Sequence, residues 1–95
     1  MSVTAFTPGR TYQLAVSATA SAQQTVNADA HSIRLLNAAP AIVYVKIGTG
    51  AQTATPNDTP LLPNVVELFF KGSGADTVAA IGGPGLLYIT TGEGI

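Results

Sequence analysis

The chain of 95 residues has no cysteine, no tryptophan, a single histidine and very few charges. Without cysteine, neither disulfides nor thiolate metal sites can stabilise it. Stability must then come from one hydrophobic core or from contact with other chains. The lone His31 excludes a two-histidine metal centre. It could act as a general base only with an oriented partner, and Asp29 is the near candidate, although a turn histidine beside a solvated aspartate is the simpler reading. No G-x-S-x-G elbow presents a nucleophile. The five carboxylates are spread over five segments, and a sugar site built on a carboxylate pair would also want exposed tryptophan or several tyrosines for stacking, of which tryptophan is absent. The glycine clusters GTG, GSG, GGPG and GEG join strands rather than opening helices, so they read as turns and not as phosphate loops. The expectation is a non-enzyme with no catalytic residue, no metal and no cofactor.

Charge is the scarcest commodity. Arg10, Arg34, Lys46 and Lys71 face Asp29, Asp58, Glu67, Asp76 and Glu93, and charged residues make up 9% of the chain. An ordinary soluble domain carries about 25%. A surface of Thr, Ser, Asn, Gln, Ala and Gly can be covered by neighbouring subunits with few ions to desolvate. It equally suits an uncharged, free-standing β-domain. No two basic residues are adjacent, which argues against a nucleic-acid partner. The longest apolar stretches, such as AAPAIVYV, fall far short of the roughly 20 residues a membrane helix needs, so no membrane partner is expected. The start MSVTAFTPGR has neither the basic opening nor the apolar run of a signal peptide, so the expectation is a protein made and left in the cytoplasm.

What is present is β-sequence. Leu, Ile, Val and Phe number 25, enough for a core in a single small domain. Short β-branched segments punctuated by Gly, Pro, Asn and Asp are the pattern of an all-β antiparallel sandwich of about seven strands. Pro8-Gly9 signals a turn, so residues 1–10 read as an N-terminal arm, extended from Met1 to Thr7, ahead of one domain at 11–95. Tyr12 to Ala18 alternates with Tyr12, Leu14, Val16 and Ala18 on one face. Gln23 to Val26 is a weaker strand, and the alanine-rich SATASAQQ before it could form a short helical turn. Ser32 to Leu36 and Ala41 to Ile47 read as a hairpin across the turn NAAP, with Ile33, Leu35, Val43, Val45 and Ile47 inward. Gly48 to Pro63 reads as a long loop, since its three prolines bar a central strand. Asn64 to Lys71 then places Val66, Leu68 and Phe70 inward, with Val65, Glu67 and Phe69 opposite. Thr77 to Ile81 and Leu86 to Thr91 complete the set, and Gly92-Glu93-Gly94 reads as release into a short tail.

If the strands bearing Tyr44 and Phe69 share a sheet, Ile42, Tyr44, Val65 and Phe69 form an exposed contact patch. The alternative is that both faces of these strands are buried, one by the opposite sheet and one by the long loop. Phe6 is a candidate anchor from the arm onto another subunit. Glu93 and Ile95 complete the candidate interface.

The stretches IRLLNAAPAIVYVKIG, LPNVVELFF and ADTVAAIGGPGLLYITTGEG carry a resemblance. Arg34-Leu35-Leu36-Asn37 ends a strand, Ile42 to Gly48 follows as an apolar strand, Pro63 to Glu67 opens another after a proline-rich loop, and Leu87 to Gly94 closes the chain. This pattern resembles a family of small proteins encoded in tailed-bacteriophage and prophage structural regions. The resemblance covers about two thirds of the chain and rests on fold and turn positions. It implies a jelly-roll-like β-sandwich on the virion, a capsid decoration or cement protein on the head exterior. Its implied partners are the major capsid protein and further copies of itself, as a dimer or trimer. A receptor- or glycan-binding module of a tail fibre and a tail or connector component are the other readings.

Overall fold

The structure, a computed structural model, describes residues 6–94. It contains eight strands: β1 (Thr7–Val16), β2 (Ala22–Thr25), β3 (Ser32–Asn37), β4 (Val43–Gly48), β5 (Thr59–Leu61), β6 (Val66–Phe70), β7 (Thr77–Gly82) and β8 (Gly85–Glu93). They form two four-stranded sheets, ordered β1-β8-β3-β6 and β2-β7-β4-β5, with every pairing antiparallel. No helix occurs among the described residues, and SATASAQQ forms bends followed by β2.

The order has a simple logic. β1 pairs with β8, β2 with β7, β3 with β6 and β4 with β5. The chain is thus one long antiparallel ribbon, closed at the β4–β5 tip and folded over so that successive pairs alternate between sheets. That winding is the double-sheet jelly roll. Alternating residues from both inner faces meet in one core: Leu14, Val16, Ile33, Leu35, Leu87 and Ile89 from the first sheet, and Val43, Val45, Leu61, Val78 and Ala80 from the second. The intervening residues, a mixture of polar and apolar side chains, form the outer faces of the two sheets.

Four expectations about strand bounds and pairing are overturned. The β3–β4 hairpin does not form, because β3 lies in the first sheet and β4 in the second. The reason is Asn37, fully buried at the end of β3. Its side-chain amide donates to Ala41 O and Leu61 O (both 2.9 Å), and its Oδ1 accepts from Ala39 N–H (2.8 Å). These bonds turn the chain out of one sheet and clip it to β5 of the other. Residues 7–10, expected in the arm, belong to β1, which begins at Thr7 and carries a bulge between Pro8 and Thr11 where the turn was expected. The expected tail is also partly strand: Gly92 pairs with Pro8 and Glu93 with Thr7. A side chain at Gly92 would run into Thr7 O and the Phe6 ring, so glycine here permits close approach of β1, not chain release. The eighth strand, β5, lies inside the segment expected to be loop. It is three residues long, contains Pro60 and sits at a sheet edge, where a missing N–H is tolerated.

Candidate functional site

The two sheets differ on their outer faces. The β4–β5 loop, residues 49–58, runs back across the outer face of the second sheet as far as β2. Gln52 N–H donates to Gln23 Oε1 (2.9 Å), and Ala54 N–H donates to Ser21 Oγ (2.8 Å). Ala79, which points to that face, and Ala54 in the loop are both buried. The loop therefore covers the middle of the second sheet's outer face, over Ala79, while Lys46 of β4 stays exposed.

The first sheet carries an apolar outer edge. Val66, Leu68 and Phe70 of β6 are 41%, 40% and 70% exposed, and the preceding Leu62 is 56% exposed. Together with Ile42 they are the large exposed hydrophobics of the described residues. The register extends the patch inward from the edge: Val66 lies beside Leu36 and Tyr88, and Leu68 beside Arg34 and Thr90. Apolar character falls away towards β1, where Gln13 and Thr11 continue these rows.

This face is the reverse of the expected one. β6 has apolar residues on both sides, and the count on the even positions exceeds that on the odd ones because Glu67 interrupts the latter. In the fold, Phe69 packs against the core and Val65 is half-buried, while Glu67 stays exposed at the rim. An edge strand lets a core-side residue reach water past the end of the opposing sheet, so Glu67 needs no burial. The expected patch of Ile42, Tyr44, Val65 and Phe69 is not assembled, because β4 and β6 lie in different sheets. Tyr44 is half-buried, and Ile42, just before β4, is 37% exposed. Phe6 is half-buried with its ring against Gly92 of its own chain. Ile95 and the arm segment Met1 to Ala5 lie outside the described residues.

β6 also has a free backbone edge. Lys71 N–H donates to His31 O (2.8 Å) and Asn37 N–H donates to Val65 O (3.1 Å), at the two ends of an unshifted β3–β6 register. Hydrogen-bonded pairs alternate along an antiparallel ladder. Residues 67 and 69 therefore turn their N–H and C=O groups to β3, while residues 66, 68 and 70 turn theirs outward. Among the described residues no strand pairs with that outer side. The other sheet edges are better guarded: β5 has Pro60, β2 has four residues, and β1 has Pro8 and a bulge.

A polar cluster closes one end of the sandwich beside β6. His31 Nδ1 and Glu93 Oε1 are 2.8 Å apart, and His31 N–H donates to Glu93 Oε2 (3.2 Å). The partner of His31 is thus Glu93, at the far end of the sequence, and not Asp29. Both side chains are more than half exposed. The bond to the His31 ring holds the Glu93 carboxyl below its usual range, helped by the His31 amide. Lys71 Nζ donates to Ala28 O and Gly72 O (both 3.2 Å) and to Ala75 O, tying the β6–β7 and β2–β3 loops together. Burial lowers its pKa, opposed by Asp29, Asp76 and Glu93. No pocket and no group of three or more potential metal-ligating acids or histidines is found among the described residues.

Comparison with protein families, characterised proteins and solved structures found no match.

Proposed function

We propose that this protein is a structural component of a tailed-phage virion, a capsid decoration or cement protein that binds the outside of the head and stabilises the shell by contacts between subunits. The observation that carries the reading is the edge of β6, where an apolar side-chain row and an unpaired backbone edge coincide on a jelly roll with few charges. Exposed, contiguous apolar surface of this kind marks contact with another macromolecule. Double-sheet jelly rolls recur in viral capsid domains, a fold-level analogy that agrees with the phage resemblance of the sequence. Contacts repeated at many sites of a lattice gain avidity, so a small patch on each copy suffices.

The test is co-sedimentation of the purified chain with expanded, undecorated heads. The reading expects saturable binding at a fixed ratio to the capsid subunit and heads that withstand higher temperature. Protein that stays in the supernatant at every concentration would overturn it.

A further inference from the structure

We propose that β6 pairs antiparallel with β6 of a second copy about a twofold axis through Leu68, joining the two first sheets into one continuous eight-stranded sheet. This deepens the reading of β6 as a contact edge by naming its occupant.

The backbone selects the occupant. The outward-facing N–H and C=O groups belong to Val66, Leu68 and Phe70, so a partner strand must offer the same alternation, with its free groups and its apolar side chains on the same residues. A second β6 does so. With the axis on Leu68, Val66 faces Phe70 of the other copy, Leu68 faces Leu68 and Phe70 faces Val66. Each outward donor and acceptor then has a partner, and the apolar rows merge across the axis.

Charge selects the register. An axis on Glu67 would set two carboxylates directly opposite, which destabilises a strand pair. An axis on Phe69 would oppose Glu67 to Lys71, but the Lys71 ammonium is already committed to three carbonyls of its own chain. That register also leaves Val66 facing Gly72, which has φ 78° and has left the strand. With the axis on Leu68, Glu67 faces the uncharged Phe69. The two Arg34 side chains stand three strand spacings apart, about 14 Å, beyond a Debye length of about 8 Å at physiological salt. An isologous, closed pairing of this type also removes the open edge rather than propagating it.

The experiment uses the full chain in sedimentation equilibrium over about 1 μM to 1 mM, a range that spans weak to moderate contacts. A monomer–dimer equilibrium is expected, with Leu68→Lys raising the dissociation constant at least tenfold while far-UV circular dichroism stays unchanged. A second variant protects the test against misfolding. Leu68→Cys introduces the only cysteine, and directly opposed residues about 5.5 Å apart lie within disulfide range, so mild oxidation should yield a covalent dimer. The same substitution at Ser73, in the β6–β7 loop, should not. A chain that stays monomeric to about 1 mM, a dimer indifferent to Leu68→Lys, or failure of Leu68→Cys to cross-link overturns the pairing. Head co-sedimentation separates the two levels: binding by a monomeric wild type overturns the dimer and leaves the virion reading, whereas a dimer that never binds heads does the reverse.

Discussion

Asn37 shows how much one residue decides. Read in sequence it is a turn former after a strand; in the fold it is fully buried, and its side chain makes three hydrogen bonds to backbone groups of the crossover and of β5. Replacing it by alanine leaves two carbonyls and one N–H without partners in the interior. Asn37→Ala should cost roughly 2 to 4 kcal/mol of unfolding free energy, measurable by urea titration. Its only sequence signal is asparagine at the end of an apolar strand, which fits a surface turn equally well. The Glu93–His31 contact was equally hidden, since 62 residues separate the partners. Because folding lowers the Glu93 pKa from an ordinary 4.5, its stabilising contribution is present above that value and is lost as pH falls through the lower folded one. The difference in melting temperature between wild type and Glu93→Gln should therefore shrink once pH falls below 4.5. A difference that persists undiminished as pH falls well below 4.5 would contradict the contact.

At the scale of elements, period-two alternation located seven of the eight strands and their inward faces in β1, β3 and β4. It failed on β6 because both faces of that strand are apolar, and only the topology reveals that it is an edge. The consequence is testable on adjacent phenylalanines. Phe69→Ala should destabilise the monomer by roughly 2 to 3 kcal/mol, whereas Phe70→Ala should change it by less than about 0.5. The reverse ranking, which alternation alone suggests, would contradict the face assignment. The β1–β8 pair offers another test. A methyl group at position 92 would meet the Phe6 ring at 2.8 Å as well as the β1 backbone. Gly92→Ala should lose about 1 to 3 kcal/mol, read from the midpoint of chemical unfolding. The alternative that the long loop buries the outer faces of both β4 and β6 fails for β6, which lies in the other sheet with Val66, Leu68 and Phe70 exposed. It holds only in part for β4, whose Lys46 is exposed.

For the molecule as a whole, the all-β sandwich followed from short β-branched segments and frequent turn residues. The nested pairing did not, because no local signal distinguishes a strand that returns to its neighbour from one that crosses to the facing sheet. β1 and β8 pair across nearly the entire sequence, Thr7 against Glu93. So non-local a topology should fold in milliseconds to seconds rather than microseconds, as stopped-flow refolding would show. The winding leaves one sheet partly covered by its own loop and the other open along β6, and this asymmetry gives the protein its contact edge. Residue-resolved amide hydrogen exchange tests that edge most directly, compared at about 5 μM and about 1 mM. The account predicts that Glu67 and Phe69, bonded to β3, are protected at both concentrations, while Val66, Leu68 and Phe70 exchange freely in the dilute sample and gain protection in the concentrated one. Unchanged exchange at those three amides, or protection of them already in the dilute monomer, would contradict it.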